Sequence, residues 1–289
     1  MAEEVIRVHD LTKVYGKAAA AVRALDGFSF SARAGEMLTL FGPSGSGKTT
    51  LLNILAGLEK PSGGEVSVGG QSLAGLKDAD AFRAKNIGFI FRSPNLLPVL
   101  SVRENIEAQM RAVVAGGSAR RRRSESLLGM LGLTEVANLR PDELSNIQCM
   151  RVAVGRAMAN DPALLLADEP TGDLDSRGGK ELLELLTGLN ERAGVTILIA
   201  THERSVAQAA PRVLHIADGR LVGDRRPDDA LQDALRLLAE SEVGGKVPAQ
   251  GAAARGLLSA EEQAVLRRLL EKVTTDAGGV AGGADYSFT

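Results

Sequence analysis

The amino-acid sequence predicts an α/β fold built on a mostly parallel sheet with helices on both faces. In the second half of the chain, short apolar runs typical of buried strands alternate with helical segments, as in strand–helix–strand units. Glycine-rich turns separate the strand patterns of the first half. The composition, 44% hydrophobic and 24% charged over 289 residues, is that of a globular chain long enough for a large core.

Short apolar or alternating runs mark the predicted strands, which are Ile6–Val8, Phe28–Ser31, Met37–Phe41, Glu65–Val68, Ile87–Phe91, Leu164–Ala167, Val195–Ala200 and Val213–Ile216. Between Pro94 and Ala159 helical periodicity replaces the strand pattern, which predicts a helical subdomain inserted into the α/β body. Within it, the basic run Arg120–Arg123 is interpreted as the solvated start of a helix at Ser124–Leu133. A nucleic-acid or anionic-lipid contact is the less favoured interpretation.

Composition and charge exclude several classes of function. The formal net charge is −2, aromatic residues make up 3% of the chain, and tryptophan is absent. These values argue against a nucleic-acid partner. The single Cys149 rules out an intrachain disulfide or a cysteine-cluster zinc site, and three histidines leave little for metal binding. No apolar run approaches the roughly 20 residues that span a bilayer. Since the N-terminus also lacks a signal-peptide pattern, we expect a soluble, cytosolic chain with no direct membrane insertion.

The sequence changes character near the end of an α/β domain predicted at 1–242. Residues 243–257 are small and glycine-rich, which predicts a flexible linker. An amphipathic helix is predicted at 258–275, because Ser259–Glu262 has the form of a capping box and apolar residues follow at helical spacing. This helix docks either on its own body or on another subunit, and we expect the subunit interface. Residues 276–289 are predicted to be a disordered tail.

The strongest chemical signal is a glycine-rich phosphate loop of the form G-x-x-x-x-G-K-[ST], between the predicted strand Met37–Phe41 and a predicted helix at Thr50–Ala56. Glycines let backbone N–H groups turn toward phosphates, and the helix N-terminus adds positive potential. Lys48 is expected to neutralise the β and γ phosphates, and Thr49 to place its hydroxyl on Mg²⁺. The nucleotide-binding residues predicted here are Gly42, Pro43, Ser44, Gly45, Ser46, Gly47, Lys48, Thr49 and Thr50.

Two adjacent carboxylates, Asp168 and Glu169, follow the apolar strand pattern Leu164–Ala167. They are therefore expected at the carboxyl edge of the sheet, where ligands of such folds bind. Neighbouring carboxylates repel each other unless a cation or a proton separates them. Asp168 suits a Mg²⁺ site, generally through water, and Glu169 suits a general base that orients the attacking water.

Together these motifs resemble the ATPase subunits of ABC transporters, most closely the MacB/LolD/FtsE-like branch. The resemblance is carried by Gly42–Asn53, Asn95–Pro98 and Asp168–Asp175, and it extends over about residues 6–238. It implies the ABC ATPase variant of the P-loop NTPase fold, with a mostly parallel core, an N-terminal antiparallel β subdomain and an inserted helical subdomain. The predicted C-terminal helix is an extension of that fold.

The resemblance also assigns roles to residues outside the two strongest motifs. Tyr15 matches the aromatic residue that stacks on adenine. Asp175 matches the aspartate that helps to join the two ATP sites of a dimer, and His202 matches the histidine that contacts the γ-phosphate. The predicted catalytic set is then Glu169, His202 and Lys48.

One departure from the family pattern lies in the signature segment, Leu144–Gln148, where the family has Leu-Ser-Gly-Gly-Gln. The resemblance implies that Ser145 and Gln148 contact the nucleotide held by the partner subunit. Asn146 and Ile147 replace the two glycines. Because β-branched Ile147 is poorly suited to a positive φ, and because its methyl groups would crowd a solvated anion, we expect a weakened contact.

The second departure is Arg92, which stands where the family has a glutamine near both Mg²⁺ and the membrane subunit. A guanidinium offers no lone pair to a metal, and a nearby cation would repel it. Arg92 is placed among the nucleotide-binding residues, and its side chain is expected either to point away from the metal or to bind phosphate oxygens directly.

The resemblance implies an ATP-binding and ATP-hydrolysing subunit, with ATP and Mg²⁺, that drives a separate membrane permease from the cytoplasmic face of the inner membrane. Arg92 affects the nucleotide held by this chain, whereas Asn146 and Ile147 affect the nucleotide of the partner, so we expect pairing with a non-identical ATPase subunit. Two alternatives stay open: a regulatory ATP-binding subunit with negligible hydrolysis, and a soluble ABC ATPase acting on DNA or ribosomes.

Overall fold

The computed structural model describes residues 4–17 and 21–226. The strands are β1 (Glu4–Tyr15), β2 (Val22–Arg33), β3 (Met37–Phe41), β4 (Gly63–Val68), β5 (Gln71–Ser72), β6 (Ile87–Ile90), β7 (Leu164–Asp168), β8 (Thr196–Thr201), β9 (Arg212–Ala217) and β10 (Arg220–Arg225). The helices are α1 (Lys48–Leu55), α2 (Ala79–Asn86), α3 (Val102–Met110), α4 (Gly117–Met130), α5 (Asn146–Ala157), α6 (Ser176–Ala193) and α7 (Arg204–Ala207).

The larger sheet has six strands in the order β10-β9-β3-β8-β7-β6. Every neighbouring pair is parallel except β10 and β9. All residues of β8 are buried, as expected for a central parallel strand that is covered on both faces. The mostly parallel α/β core predicted from the sequence is confirmed.

The two faces of this sheet pack into two separate hydrophobic cores. Leu166 and Leu198 face α1 and the N-terminal strands. Leu165 and Ile197, one position earlier on the same strands, pack with residues of α3, α4, α5 and α6. Because strand side chains alternate between faces, an apolar run without polar alternation is what a sheet covered on both sides requires.

The smaller sheet is antiparallel, has four strands in the order β2-β1-β4-β5, and forms the N-terminal β subdomain. Its buried face carries Ile6, Leu25 and Phe28. β1 and β2 are each 12 residues long, longer than the apolar runs that predicted them. The sequence analysis missed β5 and β10 because both are largely exposed and lack a buried apolar stripe.

The stretch 94–159, all of which is described, contains α3, α4 and α5 and no strand. The start predicted for the second of these helices was wrong: α4 begins at Gly117, so Arg120–Arg123 lie within it. Local partners allow this basic run to be helical, because Arg121 pairs with Glu125 and Arg123 donates to the Met158 carbonyl oxygen. Arg120, Arg121 and Arg123 thus have partners on the protein, whereas Arg122 is exposed.

The carboxyl ends of β3, β6, β7 and β8 meet at one edge of the larger sheet, because these strands are parallel. In the described part of the chain, no helix combines the length and the apolar character needed to span a membrane. The linker, helix and tail predicted at 243–257, 258–275 and 276–289 lie outside the described residues.

Candidate nucleotide-binding site

The phosphate loop connects β3 to α1 and has a backbone that only glycine can adopt at two places. Gly45 and Gly47 have φ values of 79° and 104°. A Cβ atom at Gly47 would lie 2.3 Å from the Ala24 carbonyl oxygen, and one at Gly42 would lie 2.1 Å from that of Ile216. These glycines therefore also allow the loop to pack on its own protein, a requirement that the motif alone does not reveal.

The buried ammonium group of Lys48 closes the phosphate loop. Its Nζ donates to the carbonyl oxygens of Gly42 at 2.8 Å and Pro43 at 3.0 Å, and lies 3.7 Å from Oε1 of Glu169. Pro43, Ser44 and Gly45 are exposed. The hydroxyl oxygen of Ser46 is buried and finds no hydrogen-bond partner among the described residues. The loop thus combines an exposed rim with a buried cation and a free polar group.

Thr49 and Asp168 bring the phosphate loop and the end of β7 together. Oγ1 of Thr49 donates to Oδ2 of Asp168 at 2.8 Å. Burial raises the pKa of Asp168, the Thr49 hydrogen bond opposes that rise, and the charge of Glu169 adds to it. Oδ1 of Asp168 is buried and accepts no hydrogen bond from the described residues.

This donor set suits Mg²⁺, which prefers oxygen ligands and keeps part of its hydration shell. A hydroxyl and a carboxylate are in place, and the carboxylate has one uncommitted oxygen. Within the described ranges, no cluster of three or more His, Cys, Asp or Glu side chains could hold a metal ion unaided. Thr49 and Asp168 therefore fit a cation that takes its other ligands from phosphate and water.

Glu169 lies at the centre of the predicted catalytic residues. Its backbone is left-handed, with φ 46°, and its N–H donates to the Ala200 carbonyl oxygen at 2.9 Å. Its Oε1 is 2.8 Å from Nδ1 of His202, which follows β8. Lys48 approaches the same oxygen, so Glu169 joins three elements, and the three predicted catalytic residues form one contiguous cluster.

Tyr15 lies at the end of β1, beside α1. Its hydroxyl donates to Glu59 and is 3.4 Å from Oγ1 of Thr50. The Lys13 ammonium lies 4.8 Å from the centre of the ring. The tyrosine is partly exposed, so its ring is accessible next to the phosphate loop, as stacking on a base requires. Sequence reasoning missed Glu59, which carries no motif signal.

Arg92 contacts the loop that follows Glu169. Its Nε donates to Oδ1 of Asp173 at 3.0 Å, and its Nη2 is 3.4 Å from the Gly172 carbonyl oxygen. The hydrogen bond from Arg92, followed by one from Ser93, lowers the pKa of Asp173. The described side chain is directed toward Asp173 and the Gly172 carbonyl oxygen, and its expected contact with phosphate stays a prediction. Asp173 was missed, although its charge is opposite to that of the unusual Arg92.

The signature segment is the N-terminal turn of α5 and needs no unusual backbone. Ser145 caps the helix in a reciprocal capping box with Gln148, and Asn146 and Ile147 are its first two residues. Neither has a positive φ, so the objection to Ile147 on backbone grounds was wrong. Ile147 is partly buried against the hydrophobic core, whereas Asn146 is exposed. Asp175 similarly caps α6 by accepting from the Gly178 N–H at 2.7 Å.

Comparisons with known proteins agree with this geometry. The sequence pattern of the family described as ABC transporter matches residues 25–172. An ABC transporter ATP-binding protein of Thermotoga maritima is 41% identical over 78% of this chain and 96% of that protein. The macrolide export ATP-binding/permease protein MacB of Hyphomonas neptunium is 44% identical over 78% of this chain, which spans only 35% of that longer protein.

Solved structures give the same result. A dimeric ATP-binding cassette in a post-hydrolysis state, bound to ADP and Pi, is similar with a TM-score of 0.70 and 36% identity. The match covers 76% of this chain and 98% of that one. A second dimeric structure, of a bacterial ABC transporter cassette, has the same TM-score and 37% identity.

Proposed function

This chain belongs to the ABC transporter ATP-binding subunits, and from that premise we propose that it hydrolyses ATP to drive a separate membrane permease. The observation that carries the proposal is the contiguous cluster of Lys48, Glu169 and His202 beside the Thr49–Asp168 hydrogen bond. The Thermotoga relative, which this chain covers almost completely, supports a cassette that acts as its own subunit.

The chain's own residues divide the work by their positions. Lys48 exchanges its two loop carbonyl partners for phosphate oxygens, and the backbone N–H groups of the loop bind the same anion. Glu169 orients the attacking water and accepts its proton, while His202 holds the carboxylate and reaches the terminal phosphate. The ring of Tyr15 stacks on the adenine base of ATP. Mg²⁺ at Thr49 and Asp168 supplies positive charge to the phosphate oxygens when bound.

A groove beside the nucleotide site supports contact with a permease. It has a volume of about 410 Å³ and runs between α2, the end of β6 and α5. Phe91 and Leu58 line it and are exposed. Exposed apolar side chains at a concave surface are typical of protein interfaces. The subunit would then be peripheral to the inner membrane, on its cytoplasmic face, through that permease.

Pairing with a non-identical ATPase subunit is the second part of the proposal. Each ATP in a dimer of cassettes lies between the phosphate loop of one chain and the signature segment of the other. In this chain, the phosphate loop and catalytic cluster are complete, whereas Ile147 leaves its signature segment altered. A partner with an intact signature segment would complete the site around Lys48.

Calorimetry and turnover measurements test the core of the proposal. The full chain is expected to bind Mg-ATP, and Lys48→Ala to lose that binding. In the complex with the permease and partner, Glu169→Gln should retain ATP and lose turnover by at least about 100-fold, the scale of a lost general base. Absence of binding by the parent chain would refute the proposal.

A regulatory subunit with negligible hydrolysis is the alternative, favoured by Arg92 and Ile147 standing in place of residues that the family uses. In that case the assembled complex would bind ATP at the Lys48 site, and Glu169→Gln would leave its turnover unchanged.

A further inference from the structure

The segment that follows β6 is tied to the loop that follows β7 by an ion pair and a second hydrogen bond. Nε of Arg92 lies 3.0 Å from Oδ1 of Asp173, and Oγ of Ser93 donates to Oδ2 of the same carboxylate at 3.0 Å. β6 and β7 are parallel neighbours, with Ile90 opposite Ala167. Their following loops therefore leave the same edge of the sheet side by side, although Arg92 and Asp173 are 81 residues apart.

The loop that receives Arg92, Pro170–Asp175, is held at both ends by residues of the nucleotide site. The Gly172 N–H donates to the Glu169 carbonyl oxygen at 3.0 Å. At the other end, Asp175 caps α6. Arg92 and Ser93 bind the middle of this loop, between the general base and the aspartate assigned to the dimer contact.

The close approach depends on the absence of a side chain at position 172. A Cβ atom on Gly172 would lie 2.9 Å from Nε of Arg92. The guanidinium also donates to the Gly172 carbonyl oxygen at 3.4 Å, so it packs over the loop backbone as well as its carboxylate.

We infer that Arg92 is a positioning residue, which fixes the Pro170–Asp175 loop through Asp173 and thereby sets the placement of Glu169 and Asp175. This inference rests on the proposed ATPase function. It gives the cation at position 92 a role that needs neither phosphate nor metal contact. Arg92 and Asp173 are about half exposed, with 58% and 45% of their side-chain surface accessible, so the contact is open to solvent ions.

The test compares Arg92→Leu, Asp173→Asn and the double variant with the parent chain in the complex with permease and partner. Leucine removes the cation without restoring the glutamine of the family pattern. Each single variant should lower kcat by up to about 5-fold, the range for an exposed ion pair, with KM for ATP within about 2-fold of the parent. The double variant should match the singles, because the second substitution removes nothing further. Arg92→Lys should restore part of the turnover.

A matched control is Arg121→Leu, which breaks another exposed ion pair, with Glu125 at 2.9 Å and side-chain exposures of 54% and 53%. Arg121 lies within α4, which contributes no residue to the nucleotide site, and its loss should leave kcat unchanged. Raising the salt to about 0.5 M, where screening acts within about 4 Å, should lower the turnover of the parent toward that of Arg92→Leu and have less effect on the double variant.

Hydrogen exchange on the full chain gives a readout that does not depend on turnover. The amides of Gly172 and Leu174 donate to the carbonyl oxygens of Glu169 and Thr171, and should exchange faster in Arg92→Leu than in the parent or in Arg121→Leu. Unchanged exchange at both amides, or single effects that multiply in the double variant, would overturn the inference while leaving the ATPase function intact. If the parent fails to bind Mg-ATP, both fall.

Discussion

At the scale of single residues, Glu169 combines the chemistry of the site with an unfavourable backbone. Its φ of 46° is in the left-handed region, which for a residue with a side chain costs on the order of 1 kcal/mol or more. The surrounding structure holds it there: its N–H bonds to Ala200 on β8, and its carboxylate contacts His202. The strain places the carboxylate between Lys48 and His202.

Because of this strain, we expect the glycine and alanine variants at position 169 to show the reverse of the order of stability that is usual in a helix. Glu169→Gly should be more stable than Glu169→Ala by about 1 kcal/mol, because glycine adopts positive φ freely. Urea unfolding of the full chain measures the difference. The matched control is Glu184, which lies on α6 and is largely exposed: there the glycine variant should be less stable than the alanine variant by about 1 kcal/mol. The prediction is contradicted if the same variant, glycine or alanine, is the more stable one at both positions 169 and 184.

The altered signature segment at Asn146 and Ile147 allows a test of the proposed pairing of subunits. Replacing Asn146 and Ile147 by glycine restores the family's signature segment, and adding Lys48→Ala to that chain inactivates its own phosphate loop. Mixed with the parent in the permease complex, this triple variant should raise turnover by at least about 10-fold over the parent alone, because it completes the parent's site from across the dimer. Lys48→Ala alone, mixed in the same way, should give no increase.

At the scale of elements, α3 shows how a helix start contributes pH-dependent stability. Ser101 and Glu104 form a capping box in which the Ser101 N–H and hydroxyl donate to Oε2 of Glu104 at 2.8 and 2.9 Å. These bonds hold the pKa of Glu104 below its ordinary value. A lowered pKa in the folded state stabilises the fold above the unfolded pKa, and that contribution is lost as the pH falls through the folded one.

Ser101→Ala is therefore expected to lower the free energy of unfolding by about 1 kcal/mol at pH 7, the usual effect of removing a cap. The difference from the parent should shrink as the pH falls through the lowered pKa of Glu104, because the Ser101 hydroxyl then no longer bonds to a carboxylate. Chemical unfolding across this pH range measures it. Ser118→Ala is the control, since Ser118 lies on α4 after the N-cap residue Gly116 and should change stability little.

Elements also show what sequence patterns can and cannot predict. β3 was predicted with the bounds that the structure has, because turn residues on both sides of the apolar run mark where the strand begins and ends. β10 was missed, since it is exposed at the end of its sheet. The phosphate loop and Asp168–Glu169 are contiguous motifs and could be recognised. The Arg92–Asp173 pair depends on the adjacency of β6 and β7, which no local pattern encodes.

At the scale of the whole molecule, Arg212 joins the two sheets. It lies on β9 with 4% of its side chain exposed. Its guanidinium donates to Glu36 and to the Ser31 carbonyl oxygen on β2, both at 2.8 Å. It also makes two hydrogen bonds of 2.7 Å to Asp224 on β10. These carboxylates raise the pKa of Arg212 against the opposing effect of its burial, so the cation is held charged at the junction.

Arg212→Leu should therefore lower the free energy of unfolding by about 3 kcal/mol, because it removes a buried guanidinium together with its ion pairs and its hydrogen bond to Ser31. Arg220→Leu is the matched control: it removes another arginine that joins β10 to β2, through Asp26, but at a site where 68% of the arginine side chain is exposed. That loss should be below about 1 kcal/mol. Adding Glu36→Gln to Arg212→Leu should recover part of the stability, since the partly buried carboxylate that lost its cation is then neutral. If the two arginine variants lose equal stability in urea unfolding, burial of the Arg212 junction does not hold the sheets together.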